Sequence, residues 1–221
     1  MKQIPVLIVL TLSLSLCNLT QKLTGSKNDN ANSNNATANS NSSGTGSAPQ
    51  SGLPPADRPE PTAAQTAALA GGQSVNWDQQ GLTWMLPAKW TKVSEESKLI
   101  NWKSPGSWDA GFLITSISVM DANFPTDISL KATYDQQVSR QKNGEVSEVR
   151  WLELDGVRGV QFLETPPEGK ENPRRLQWIA YRKFAGQSQM VNMILSSQGQ
   201  HFDKHKDALY GILYSTKLVH E

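Results

Sequence analysis

The sequence predicts an α+β fold, an antiparallel β-sheet covered by helices, on three observations. All 16 aromatic residues, seven of them Trp, lie between Trp77 and Tyr214, which confines the hydrophobic core to one globular domain over 75–221, long enough for a single substantial core. Within it, alternating apolar and polar segments flank short turn signals at Asp155-Gly156 and Ala185-Gly186, the pattern of β-hairpins. Two other stretches carry apolar residues at helical spacing, one between the hairpins and one at the end.

In chain order, a strand is expected near Val75-Asp78, then a tight turn at Gln79-Gln80-Gly81 and a second strand over Leu82-Pro87, "LTWMLP". "WTKVSEE" and "SKLINWKS" alternate on either side of Glu95-Glu96 and read as a short hairpin. The run Phe112-Met120 is a strand with Leu113, Thr115, Ile117 and Val119 on one side and Phe112, Ile114, Ser116 and Ser118 on the other. Both sides are apolar or small, so both are expected to be covered. A helix should begin after Asp127, its cap, and end before Gly144, burying Leu130, Tyr134 and Val138.

The clearest turn follows: "VSEVRWLELDGVRGVQFLET" places Asp155-Gly156 between alternating segments, and Gly readily takes the positive φ of a primed turn. After the loop "TPPEGKENP", a further hairpin joins Arg175-Phe184 to Gln189-Ser197, and a helix over about Phe202-Tyr214 ends the domain. Strands in hairpins with one inserted and one terminal helix make an α+β sheet with helices expected on opposite faces.

Upstream the chemistry is different. Met1-Lys2 precedes an apolar stretch from Ile4 to Leu16, of signal-peptide length and shorter than the roughly 20 residues that span a bilayer. Export is therefore expected. Leu14-Ser15-Leu16-Cys17 resembles the bacterial lipobox, departing from it at Leu16, where a small residue is usual. That resemblance implies that Cys17, the only cysteine, is acylated and becomes the first mature residue. The alternatives are a plain secretory signal or an uncleaved anchor in which Cys17 is incidental. Residues 18–74 have no aromatic and are rich in Asn, Ser, Gly and Pro, a composition expected to form a disordered tether.

The chain carries a formal net charge of +1, and residues 75–221 hold 17 basic and 17 acidic residues, so no nucleic-acid partner is expected. "GLTWMLPAKW", "WKSPGSWDAGFLITSISV" and "ELDGVRGVQFLE", with Leu86-Pro87 followed by Trp90, together resemble the PsbP-like superfamily, which includes PsbP, Mog-type and DcrB-like proteins. The resemblance spans nearly all of 75–221. It implies a PsbP-like α/β/α sandwich and a binding or assembly role, and carries over no functional residue.

Walker A, GxGxxG, GxSxG and HExxH patterns are absent, and the domain has no cysteine, so no catalytic residue and no cofactor are expected. His201 and His205 stand four apart around Asp203, but a third metal ligand is not identifiable and no metal site is expected. Glu95-Glu96 and Glu153 with Asp155 read as solvated turn residues rather than acid/base pairs. Trp102 and Trp108 are candidate partner contacts, Trp108 because it stands in the Gly/Pro/Ser loop "PGSWDAG"; the plainer reading folds it over the sheet edge. Arg174 and Arg175, behind the long loop 165–173, are further candidates.

These features together point to an exported, lipid-anchored binding or assembly module of the bacterial cell envelope, periplasmic or surface-exposed. Its partners would be the membrane through the N-terminal lipid and an envelope protein or small ligand. An enzyme with an unfamiliar site and a secreted, unanchored ligand-binding protein are the alternatives.

Overall fold

The computed structural model describes residues 52–221. Cys17, the apolar leader and the tether up to residue 51 lie outside the described residues. The elements in order are α1 (Ala63–Ala68), β1 (Gln73–Trp77), β2 (Leu82–Leu86), β3 (Thr91–Glu96), β4 (Leu99–Lys103), β5 (Phe112–Met120), α2 (Thr126–Lys142), β6 (Val146–Leu154), β7 (Val157–Glu164), β8 (Pro173–Phe184), β9 (Gln187–Gln198), α3 (Phe202–Tyr214) and β10 (Lys217–Leu218). Seven strands form an antiparallel sheet in the order β3-β4-β5-β9-β8-β7-β6, and β1, β2 and β10 form a separate small sheet. The α+β class read from the sequence is what the chain adopts.

Strand alternation sorts the side chains between two faces. On β8, Leu176, Trp178 and Ala180 point to one face, where they meet Leu113, Met193 and Leu195, the small sheet's Trp77 and Trp84, and Phe202, Leu209, Ile212 and Leu213 of α3. Complete burial of side chains this large stabilises by about 1.5–3 kcal/mol each. Ile179 and Tyr181 point the other way, toward α2, where Leu130 and Tyr134 pack with Val146, Trp151, Val160 and Phe162. Tyr134 stacks on Trp151 with ring centroids 4.6 Å apart. The two long helices therefore lie on opposite faces, as the hairpin-and-helix order requires.

The two hairpins form as read. Asp155 and Gly156 have φ of 49° and 84°, and Ala185 and Gly186 have 51° and 72°, the doubly positive pattern of type I′ turns that matches strand twist. The last hairpin is longer than expected, from Pro173 to Gln198. The first hairpin turns at Ser97-Lys98 rather than at Glu95-Glu96, which belong to β3. Asp78–Gln80 forms a short 3-10 turn closed by left-handed Gly81.

Helix α2 starts at Thr126 behind Pro125 with no side-chain cap, so Asp127 lies inside its first turn instead of capping it. Its buried residues are Leu130 and Gln137, with Tyr134 and Val138 half-buried. The main sheet contacts of the helix are with β6, β7 and β8. That placement overturns the expectation that both faces of β5 are covered: Ile114, Ser116 and Ser118 remain half-exposed and Phe112 is 39% exposed. Val119, expected with the covered residues, is also exposed.

Residues 52–72, expected to belong to the tether, are structured instead. Thr62 and Gln65 form a reciprocal capping box that starts α1, and α1 packs on α3, where the Gln65 carbonyl would stand 3.0 Å from a Cβ at Gly211. Ahead of it, Asp57 donates to the Trp151 carbonyl at 3.0 Å and accepts from the Glu153 amide at 2.8 Å. Arg58 pairs with Glu153 at 2.8 Å. This strap covers the outer edge of β6, while the opposite edge strand, β3, carries a bulge between Lys92 and Ser94 and three charges, features that discourage unwanted strand pairing.

Candidate interaction surfaces

The four candidate contact residues fall in very different places. Trp102 lies on the inner face of β4 beside Ile100 and is 7% exposed. Its indole belongs to the core, with Lys92 Nζ 5.6 Å from the ring, which removes it from any exposed contact surface. Trp108 is 83% exposed. It does not fold over the sheet edge.

The loop that carries Trp108 is held at both ends. The Ser104 amide donates to the Gly111 carbonyl at 2.8 Å, and the Gly111 amide donates to Ser104 Oγ at 2.8 Å. Gly106, at φ 120°, makes the bend that few other residues tolerate. Asp109 is clamped to α3: Lys204 Nζ lies 2.5 Å from its carboxylate and His205 Nε2 donates to its carbonyl. The hydrogen bond from Lys204, with its positive charge, holds the Asp109 carboxyl below the usual carboxylate range. A large apolar ring is thus presented to solvent on a braced support.

Arg174 is committed to the fold. Its Nε donates to the Glu164 carbonyl at 2.9 Å and its guanidinium lies 4.7 Å from the Phe202 ring centroid. Arg175 reaches Glu164 at 3.2 Å and keeps a side chain that is 43% exposed. His205 spends Nε2 on the loop, and among the described residues no group of three potential ligands could hold a metal. Glu153 is paired with Arg58, and Asp155 accepts from the Leu218 amide at 2.9 Å, so this acidic pair serves a strap and a sheet edge. Among the described residues no helix is long and apolar enough to cross a membrane.

Sequence reading missed one polar cluster between α3 and β6. Tyr210 donates to Glu148 Oε2 at 3.1 Å, Gln161 Nε2 to Glu148 Oε1 at 2.9 Å, and Arg150 Nη2 to Gln161 Oε1 at 2.8 Å and also to the Tyr214 hydroxyl. Burial pushes both phenols above the ordinary tyrosine range, reinforced at Tyr210 by the Glu148 charge and opposed at Tyr214 by Arg150. The i, i+4 spacing of Tyr210 and Tyr214, with alternating Glu148 and Arg150, was the available signal. Its acid, base, amide and phenols already bond one another, which suits a structural tie rather than a site that accepts substrate.

A second feature hidden from the sequence is a cleft of about 580 Å³ between the start of α2 and the tips of the β6-β7 and β8-β9 hairpins. Phe124, Asp127, Arg158, Tyr181, Lys183 and His220 are among its lining residues, which give it a mixed-charge rim. Nearby, Arg182 is 5% exposed and bonds the carbonyls of Val219 and Gln80, tying the chain's two distant loops together. Burial draws its pKa down to about 10, which leaves it charged at neutral pH.

No protein-family model and no curated protein matches the chain. Several solved structures match the chain at low identity. The cyanobacterial PsbP protein (CyanoP) of Synechocystis sp. PCC 6803 is 14% identical with a TM-score of 0.46, over 68% of this chain and 94% of that one. LpqN of Mycobacterium tuberculosis, described as involved in cell envelope biogenesis, is 13% identical with a TM-score of 0.46, over 67% and 90%. A protein of unknown function from Pseudomonas aeruginosa is 10% identical with a TM-score of 0.41, over 68% and 97%.

Proposed function

We propose that the chain is an exported, lipid-anchored binding or assembly module of the bacterial cell envelope, non-catalytic, with Trp108 as the leading partner contact. The observation that carries the binding role is the display of Trp108: the indole is 83% exposed on a loop braced by Ser104, Gly111, Lys204 and His205. Exposing a Trp forgoes burial energy, and indoles on preorganised supports are frequent anchors of interfaces. Export and anchoring rest on the apolar leader and the lipobox-like Leu14-Ser15-Leu16-Cys17. The long polar stretch that follows supplies the reach a tethered domain needs.

Intact mass spectrometry of the native protein from the membrane fraction, beside a Cys17→Ala variant, tests the anchor. A mature N-terminus at Cys17 bearing acyl chains supports it; a mature chain lacking Cys17 and lipid points to the secreted, unanchored form. Crosslinking in intact cells from a photoreactive residue at position 108, compared with one at exposed Val219, tests the binding role. Equal yields from the two positions would remove Trp108 as an anchor.

A further inference from the structure

On the inner face of the seven-stranded sheet α3 and the small sheet pack over the buried residues of β4 through β7 in the sheet order, leaving β3 exposed, whereas on the other face the main contacts of α2 are with β6, β7 and β8. Among the described residues no helix packs over β9, β5, β4 and β3 to any such extent, a width of roughly 19 Å at the usual ~4.8 Å strand spacing. The register identifies what this surface presents. Lys103 and Phe112 form one row across β4 and β5, continued on β9 by buried Ser196; Ser94, Asn101, Ile114 and Ile194 form the next across all four strands; Glu96, Leu99, Ser116 and Asn192 form a third. The middle row is uncharged. Phe112 is 39% exposed, and Ile114, Ile194 and Leu99 are half-exposed.

We infer that this open half-face packs against the same half-face of a second copy of the chain. A two-fold axis across the strands would stack both α2 helices over the same strands, where two ~10 Å helices cannot share the ~10 Å gap between packed sheets. An axis parallel to the strands, between β4 and β5, avoids that collision, because each α2 then lies beside the other copy's β3. This axis sets β5 over β4 and β9 over β3 of the second copy. Large side chains then meet small or flexible ones: Leu99 faces Ser116, Ile194 faces Ser94, and Phe112 lies under the Lys103 stem, whose ammonium has no ion pair among the described residues.

The balanced charge over 75–221 removes net repulsion between copies. The footprint, with the flanking α2 edge, amounts to on the order of 1,000 Å² over both copies, the lower bound for a specific interface and the size of the weak, transient class. A face-to-face pairing of this kind is the aligned sandwich that twisted sheets form.

The test uses the full chain with Cys17→Ser in detergent, so that no native thiol interferes. Ser94→Cys with Ile194→Cys lies on strands separated by two others within a chain but face to face across the axis, and should give a covalent dimer with a short bis-maleimide whose reach suits the ~10 Å gap between packed sheets. Each single variant, and a collision control with Ile128→Cys and Val219→Cys, should give at least tenfold less. Sedimentation should show that Ile114→Lys raises the dimer dissociation constant at least tenfold and Val219→Lys less than twofold. Ser116→Lys, on a residue with little packing of its own, repeats the measurement if Ile114→Lys fails to fold. A monomer up to about 100 µM, or crosslinking no better than the collision control, overturns the inference. The face would then belong to another protein's helix or to this chain's own residues 18–51.

Discussion

Two tryptophans six residues apart show how little residue type says about role. Trp102 and Trp108 differ because β4 alternation turns the first inward beside Ile100, while the Ser104–Gly111 closure lifts the second off the sheet. Trp102→Ala should cost about 3–5 kcal/mol of unfolding free energy, as large core truncations do, and Trp108→Ala less than about 0.5 kcal/mol. Urea titration of the two variants checks this contrast. Gly159 is a second such position: a Cβ there would lie 2.4 Å from the indole nitrogen of fully buried Trp178 and 2.7 Å from the Ile179 carbonyl. Since Trp178 is also held by its 3.2 Å bond to the Leu152 carbonyl, it cannot retreat. Gly159→Ala should therefore destabilise by about 1–3 kcal/mol in the same titration.

Among elements, α1 is the instructive one, being six residues of Ala, Gln and Thr with no helix-forming future of its own. It exists because the Thr62 cap satisfies its first turn and because the α3 surface at Gly211 is smooth enough to receive it. Thr62→Ala should remove about 0.5–2 kcal/mol from this helix. In hydrogen exchange the amides of 63–72 should lose protection while those of β8 and β9 keep theirs. Loss of protection throughout would mean that strap, α1 and sheet unfold as one unit.

For the whole molecule, the buried phenols set the response to alkali. Burial raises the folded-state pKa of Tyr210, Tyr214 and Tyr181 above the unfolded value near 10, so the unfolded chain ionises first. Their contribution is complete below pH ~10 and is lost as pH climbs from there through the folded-state values. Arg182 acts oppositely: with its folded pKa drawn down to about 10 from 12.5, the unfolded chain holds the proton longer across that interval. Unfolding free energy should be flat from pH 7 to 9 on account of these groups, and above pH 10 Tyr210→Phe should lose less of it than the native chain does. An unchanged alkaline slope in the variant would show that Tyr210 is not desolvated as its place against Glu148 requires.

The sequence by itself determined the local structure of the folded domain. Period-two alternation and two turn dipeptides defined the β6-β7 and β8-β9 hairpins, and the spacing of Phe202, Leu209, Ile212 and Leu213 defined α3, because each signal is complete within about 20 residues. The same local reading located the loop that displays Trp108. What only the tertiary structure decided was every question of what lies above what. It buried Trp102, folded 52–72 onto the domain and joined Tyr210 to Glu148 across 62 positions of sequence. It also stopped α2 at β8 and left half a sheet open. A residue's periodicity tells which side of a strand it occupies; whether that side is covered depends on a helix whose lateral position is chosen by packing, a global quantity that no short window contains.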